Sequence, residues 1–413
     1  MAKDTKNEQR AEAETPAGRG GLEMAIRQRA RLLIDAIVEE ELEDALGAAP
    51  SVRVGEARAG YRHGTRGRTL TTSLGPTTFA MPRARLVTAA GTTAEWRSEL
   101  VPRYQRRSAQ VDEAMLGVYL SGTNTRRIKG ALAPLLRGGP LSKDAVSRLV
   151  GRLADDFETW RQRDLAADGI QYLMLDGWYP KVRIGKRRVR VPVLVTLGVR
   201  ANGDRVILDV RLVGDESTAA WRDVIHSLVA RQIGVPTLAV IDGNPGLAAA
   251  LREQWPTLAI QRCTTHKLRN LEAKAPARLR EELAEEYRRM IYADSRAAVD
   301  QARGRFLKKW RLRCPAVIEC LDEAGEDLFT FLRFPPSQWK ALRTTNALER
   351  INEEFRRRTK TQASLPGQDA VLFLLFGLLR TGQVKLRKMD GWQEMATMKR
   401  AGVPRAADVG RAQ

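Results

Sequence analysis

Three carboxylates stand where metal-assisted chemistry could use them. Asp176 and Asp242 each follow a short strand-like run, Tyr172 to Leu175 and Thr237 to Ile241, and each is followed by glycine. Two such strands in one sheet could bring both carboxylates to one end of it. Glu349 lies in Thr344-Thr345-Asn346-Ala347-Leu348-Glu349-Arg350, where Leu348, Ile351 and Phe355 form an apolar stripe and Glu349, Asn352 and Arg356 share a polar face. Mg²⁺ takes oxygen ligands and keeps several waters, so carboxylates projecting into an open cleft suit it better than a closed cage. Each carboxylate also has an ordinary reading. Asp-Gly is a common turn dipeptide, and Asn346 with Glu349 three residues on fits a helix capping box.

Cys263-Thr264-Thr265-His266 has half of a zinc spacing, but Cys314 and Cys320, five residues apart between them, are not a usual second half. A cysteine and histidine packed beneath the carboxylates fits better. His63 and His226 have no evident nucleophile partner, and no Walker-type phosphate loop occurs, which argues against hydrolase triads and ATP-driven motors. Arginine-rich tracts, Arg183 to Arg190 and Arg356 to Lys360, flank the carboxylates and could hold phosphates, or simply be solvated. Trp339 could stack on an unpaired base or pack in the core.

Several kinds of element must position these groups. Polar residues 1–22 read as a flexible lead-in, and Met24 to Leu46 as an amphipathic helix with Ile26, Ile34, Val38, Leu42 and Leu46 at helical spacing. Residues 51–110 hold eleven Arg, no Lys and three Glu, with short β-type runs at Thr69 to Leu74 and Thr77 to Met81, and read as a basic, loop-rich module. Val111 to Leu120 and Thr125 to Leu136 predict two helices around the Ser121-Gly122-Thr123 break. Ser142 then caps a third, with Val146, Leu149, Leu153 and Phe157 on its apolar side and Lys143, Ser147, Arg148 and Arg152 on its polar side. A helix-turn-helix DNA reader needs this division of faces; a helical linker would show it too. From Gln171 the pattern changes to strands at Tyr172–Leu175, Val189–Val199 and Val206–Val213, helix, strand, helix, strand, which predicts a mixed α/β sheet. Charged helices follow, and then the Glu349 helix and an apolar one from Asp369 to Leu379.

With 413 residues the chain suggests two or three domains. Seventy Lys and Arg against forty-nine Asp and Glu give +21 and favour a polyanionic partner, nucleic acid first. The apolar content of 43% sets aside a disordered basic tail. No apolar run reaches the roughly 18 residues of a membrane span, the N-terminus is too polar for a signal peptide, and three cysteines do not make a disulfide framework. A cytoplasmic, nucleoid-associated protein is expected.

Taken together, the motifs resemble those of the IS256 or Mutator-type family of DDE transposases. The resemblance runs from about Gly60 to Leu379 and rests on several unusual strings in one order. These are Gly60-Tyr61-Arg62-His63-Gly64, Ser121-Gly122-Thr123-Asn124-Thr125-Arg126, Leu175-Asp176-Gly177-Trp178-Tyr179, Val240-Ile241-Asp242-Gly243, Gln261-Arg262-Cys263-Thr264-Thr265-His266, Leu268-Arg269-Asn270-Leu271, Phe334-Pro335-Pro336 and Thr344 to Arg350. It implies an α/β fold with an RNase H-like mixed-sheet catalytic core and a helical insertion, preceded by a mainly helical N-terminal DNA-binding region. It implies that Asp176, Asp242 and Glu349 are both the catalytic triad and the ligands of two Mg²⁺ or Mn²⁺ ions, with Cys263 and His266 as structural neighbours of the site.

The expected organisation is then a helical and basic module over 23–110, a helix-turn-helix-like block over 111–165, core over 166–270, helical insertion over 271–340, core with the Glu helix over 341–395, and a tail over 396–413. The expected activity is that of an insertion-sequence transposase which binds terminal inverted repeats, cleaves DNA and transfers strands, pairing as a homodimer in synapsis. The candidate DNA contacts are Arg126, Arg127, Lys143, Ser147, Arg148, Arg152, Arg356, Arg357 and Arg358. A non-catalytic DNA-binding regulator derived from a transposase, and a structure-selective nuclease with the same core, are the alternatives.

Overall fold

A computed structural model describes residues 21–52, 59–88, 91–121, 128–136, 143–184, 186–361 and 367–395. These fall into two compact units. Arg126, Arg127, the Ser142 cap and the tail lie outside the described residues.

The first unit holds the described residues up to Tyr119 and those from 128 to Leu149. Its core forms where helix α1 (Gly21–Leu46) lays Val38, Leu42 and Leu46 on strand β2. Strands β1 (Gly60–Thr72), β2 (Gly75–Val87) and β3 (Thr93–Glu95) make an antiparallel sheet. Along β2, Thr77, Phe79 and Met81 are buried while Thr78 and Ala80 are exposed, the period-two alternation of a sheet with one covered face. The two short β-type runs expected at Thr69 to Leu74 and Thr77 to Met81 thus belong to long strands, and the module expected to be loop-rich is largely a sheet. Arginines and threonines on the open face mask the alternation when the sequence is read as composition. The Gly60–Gly64 string is structural in part: Arg62 pairs with Glu39 at 2.6 Å and donates to the Ala48 carbonyl at 3.2 Å. Helices α2 (Ala109–Leu120), α3 (Ile128–Ala131), α4 (Ala133–Leu136) and α5 (Lys143–Arg161) follow, with α5 belonging to the second unit from Val150 on. On α5, Val146, Leu149, Leu153 and Phe157 are buried, as the spacing predicts, and Ser147, Arg148 and Arg152 are exposed.

The second unit contains a five-stranded mixed sheet in the order β10-β9-β4-β7-β8. Its strands are β4 (Ile170–Trp178), β7 (Val193–Arg200), β8 (Arg205–Leu212), β9 (Leu238–Ile241) and β10 (Ala259–Arg262), and a separate hairpin pairs β5 (Lys181–Ile184) with β6 (Arg187–Arg190). The single strand expected over Val189 to Val199 is therefore two, because Pro192 has no N–H for the ladder and breaks the run. Strand β4 is central, parallel to β9 and antiparallel to β7, and buried along nearly its whole length. Helices α6 (Thr218–Ala230) and α7 (Pro245–Gln254) cover one face, packing Trp221, Ile225, Leu228, Leu247 and Leu251 on Leu173, Leu175, Ala239 and Ile241.

After β10 the chain runs through α8 (Thr264–Lys274), α9 (Arg280–Ile291), α10 (Arg296–Arg313), α11 (Pro315–Ala324) and α12 (Pro336–Leu342) before α13 (Asn346–Thr361) and α14 (Asp369–Arg380). Trp339 is a core residue: it is buried, donates to the Phe334 carbonyl at 2.7 Å and packs edge-on to Phe331. No described helix is long and apolar enough to cross a membrane.

Candidate active site

Strand register sets the site. Leu175 pairs with Ile241 across the parallel β4–β9 ladder, so the next residue on each strand, Asp176 and Asp242, lies at the same end of neighbouring strands. Neighbouring strands run about 4.8 Å apart. Leu173, Leu175, Ala239 and Ile241 face the α6–α7 core, so alternation turns Asp176 to the opposite face. Asp176 does not follow its strand, as the sequence suggests, but lies within it, because pairing to β7 continues to Trp178. Asp242 does follow its strand. Gly243 turns there with φ +105°, a conformation that favours glycine. The Asn244 backbone N–H donates to Asp242 Oδ1 at 2.9 Å, and the Asn244 side chain caps α7 by accepting from Leu247 N at 3.1 Å.

Helix α13 covers the Asp176 face. Its Phe355 packs on Trp178 with ring centroids 5.8 Å apart, and Asn352 Nδ2 donates to Asp176 Oδ2 at 3.0 Å. Glu349, one turn before Asn352, takes Arg269 Nη1 at 3.1 Å and lies 3.7 Å from His266 Nε2. Its carboxylate is thus turned to the site side of α8, away from the capping-box role.

Burial, then the charge of Asp242, pushes Asp176 up to about 7, with Glu216 and Glu349 adding to the rise and His266 opposing it. The Cys263 sulfur beside His266 is the main reason that His266 is pushed up to about 9; burial opposes, and Asp176 and Asp242 reinforce. His266 Nδ1 has no hydrogen-bond partner of good geometry among the described residues. Cys263 is buried and accepts from the Thr345 N–H at 3.4 Å, which ties the start of α8 to the start of α13. Burial favours its thiol form, but contacts with His266 and Thr345 outweigh that and hold its pKa below the usual thiol value.

All three cysteines are unpaired. Among the described residues no three His, Cys, Asp or Glu side chains stand close enough together to hold a metal ion as they are placed. Two observations nonetheless fit a divalent cation beside the aspartates. Asp176 resists ionisation first because it is buried and then because Asp242 faces it, and a cation would relieve the second of these. Asn352 is buried with Oδ1 unpartnered among the described residues, while its Nδ2 already holds Asp176.

Glu216, which no sequence motif marks, adjoins the site. It directly precedes Ser217, the N-cap of α6, and so lies just outside that helix. Of the candidate DNA contacts, Arg356 and Arg357 are exposed on α13, Arg357 pairing with Glu354 at 2.7 Å, and Arg358 is half-buried. Lys143 opens α5. The Arg183–Arg190 tract forms the β5–β6 hairpin, with Arg183, Arg187, Arg188 and Arg190 exposed just after β4. Beside α13 runs a groove of about 840 Å³ whose lining includes Arg205, Lys340, Arg350, Lys385, Arg387 and Lys388 against Glu353, Glu354 and Asp390.

The chain is similar to the transposase for insertion sequence element ISRM5 of Rhizobium meliloti, 34% identical over 86% of this chain and 86% of that one. It is also similar to the transposase for insertion sequence element IS256 in transposon Tn4001 of Staphylococcus aureus, 28% identical over 78% of this chain and 81% of that one. The Drosophila P element transposase strand transfer complex aligns with 78% of this chain and 91% of that one at 10% identity, with a TM-score of 0.30, too low to carry an argument. The model of the Mutator family of transposases matches residues 1–387, and with that match this chain belongs to the Mutator transposase family.

Proposed function

We propose that this protein is the transposase of an insertion sequence, with an RNase H-like core that cleaves DNA at terminal inverted repeats and transfers the released strand. The observation that carries the reading is the Leu175–Ile241 register, which sets Asp176 and Asp242 side by side under the helix that bears Glu349. Asp176, Asp242 and Glu349 would hold two Mg²⁺ or Mn²⁺ ions, which when bound activate an attacking oxygen and stabilise the leaving one. Asn352 orients Asp176 and keeps α13 over the strand ends. Glu349 completes the set by giving up its contacts with Arg269 and His266. The cationic groove beside α13 and the β5–β6 arginines would hold phosphates of the bound DNA, setting position without reading sequence. Reading the inverted repeats would fall to the first unit and to α5, and two ends would be brought together by a homodimer.

The test is Mg²⁺-dependent nicking and joining of a duplex that carries the element's own inverted repeat. Asp242→Asn or Glu349→Gln should abolish both reactions and leave end binding largely intact. Retained cleavage in either would remove that residue from the catalytic set, and cutting without joining in the unaltered protein would favour the nuclease alternative.

A further inference from the structure

Glu216 lies at the edge of the site and is fixed there by three donors. Its Oε1 accepts from Asn244 Nδ2 at 3.1 Å and from Trp221 Nε1 at 3.3 Å, and its Oε2 accepts from the Tyr179 hydroxyl at 2.6 Å. A carboxylate has about four lone-pair directions, so three are in use. Space for it exists because the residue after Asp176 is glycine. A Cβ on Gly177 would stand 2.5 Å from Glu216 Oε2.

Asn244 is what Glu216 grips, and Asn244 also grips Asp242. One asparagine therefore uses its backbone N–H on the Asp242 carboxylate, its side-chain oxygen on the α7 cap, and its side-chain nitrogen on Glu216. This chain of contacts runs from Glu216 through Asn244 to a single oxygen of Asp242. It occupies Oδ1 and leaves Oδ2 for a further ligand. At the other carboxylate, Asn352 holds Oδ2 of Asp176 and keeps an unpartnered Oδ1 in the buried pocket. Each aspartate is thus held by an asparagine, Asp242 through a main-chain N–H and Asp176 through a side-chain amide, and such neighbours of a ligand tune cation affinity. Only the asparagine beside Asp242 is itself anchored by a charged group.

We propose that Glu216 is a positioning residue of the divalent-cation site, acting on Asp242 through Asn244 and adding a fixed negative charge beside the two aspartates. The inference rests on the reading of Asp176 and Asp242 as cation ligands. It assigns Glu216 no contact with the DNA.

The experiment titrates Tb³⁺ into the full-length chain and reads luminescence sensitised by Trp178, two residues from Asp176, with Mg²⁺ and Mn²⁺ as competitors. Glu216→Gln, which keeps the shape and removes the charge, should weaken Tb³⁺ and Mn²⁺ binding about 10- to 100-fold with little change in the melting temperature of the EDTA-treated protein, and Glu216→Asp should recover part of the loss. Asn244→Ser keeps a helix cap and removes the nitrogen that Glu216 holds. Because both residues act in one chain, the double variant should bind no more weakly than the weaker single variant. Affinity within twofold of the parent in Glu216→Gln, or losses that multiply in the double variant, would overturn the proposal. If Glu216→Gln does not fold, Asn244→Ser alone decides: weaker binding at an unchanged melting temperature supports the role, and unchanged binding refutes it. Asp176→Asn separates the two levels. Loss of the signal there with none in Glu216→Gln would sink this inference only, whereas a signal indifferent to both would sink the cation site itself.

Discussion

Replacing Asp176 with asparagine should make the cation-free protein more stable while abolishing its chemistry. The carboxylate is buried, and its burial and the facing charges of Asp242, Glu216 and Glu349 push it from an ordinary 3.8 up to about 7. A folded-state pKa above the unfolded one means that ionisation opposes folding. The penalty is absent below the ordinary value, grows as pH rises through the interval, and is complete above about 7. Each pH unit of displacement is worth about 1.4 kcal/mol, so the ionised side chain costs the cation-free fold on the order of 4 kcal/mol at pH 8. Asparagine keeps an oxygen for Asn352 Nδ2 and sheds the charge. Part of the gain is lost to burying an amide, which leaves an expected stabilisation of roughly 1–3 kcal/mol at pH 8 and little at pH 4. The assay is urea denaturation of both proteins in EDTA across that range, compared through their midpoints, since a chain of two units need not unfold in one step. Millimolar Mg²⁺ should then raise the parent's midpoint at pH 8 and not the variant's. Curves that stay parallel with pH, or a variant less stable than the parent at pH 8, would refute the account of how the site is built.

Three further outcomes follow from the same geometry. Asn352→Ala takes away the side-chain amide that holds Asp176 and should lower nicking about 10- to 100-fold, with end binding by gel shift unchanged. Arg350→Glu combined with Lys385→Glu reverses charge in the groove beside α13 and should weaken binding of any duplex, with the dependence of log affinity on log salt becoming shallower by about one for each phosphate no longer neutralised; an unchanged salt slope would place the DNA elsewhere. Trp310→Ala removes a fully buried ring whose Nε1 donates to Glu286 at 2.8 Å, and should destabilise the protein by about 3–5 kcal/mol in chemical denaturation.

How much of this is legible in the sequence depends on the range over which each feature is decided. Apolar spacing places Val146, Leu149, Leu153 and Phe157 on the buried side of α5, and Leu348, Ile351 and Phe355 on that of α13, because a helix repeats within four residues and carries its own pattern. The strand, helix, strand order points to the mixed sheet for the same reason. The first-unit sheet shows in the sequence only as two short β-type runs, since its open face is crowded with Arg and Thr and only its partner α1 shows which alternate residues are covered.

The sequence by itself determined which carboxylates are candidates, the family strings around them, and the charge that calls for a polyanion. It could not determine that Asp176 and Asp242 share a register, since pairing between strands 66 positions apart is settled by how their apolar faces pack, not by either strand alone. Nor could it show that Asn352 holds Asp176, that Arg269 and His266 hold Glu349, or that Glu216 reaches Asn244. Those contacts join side chains from different elements, and a side chain's partner is chosen only when burial has decided which groups lose water together.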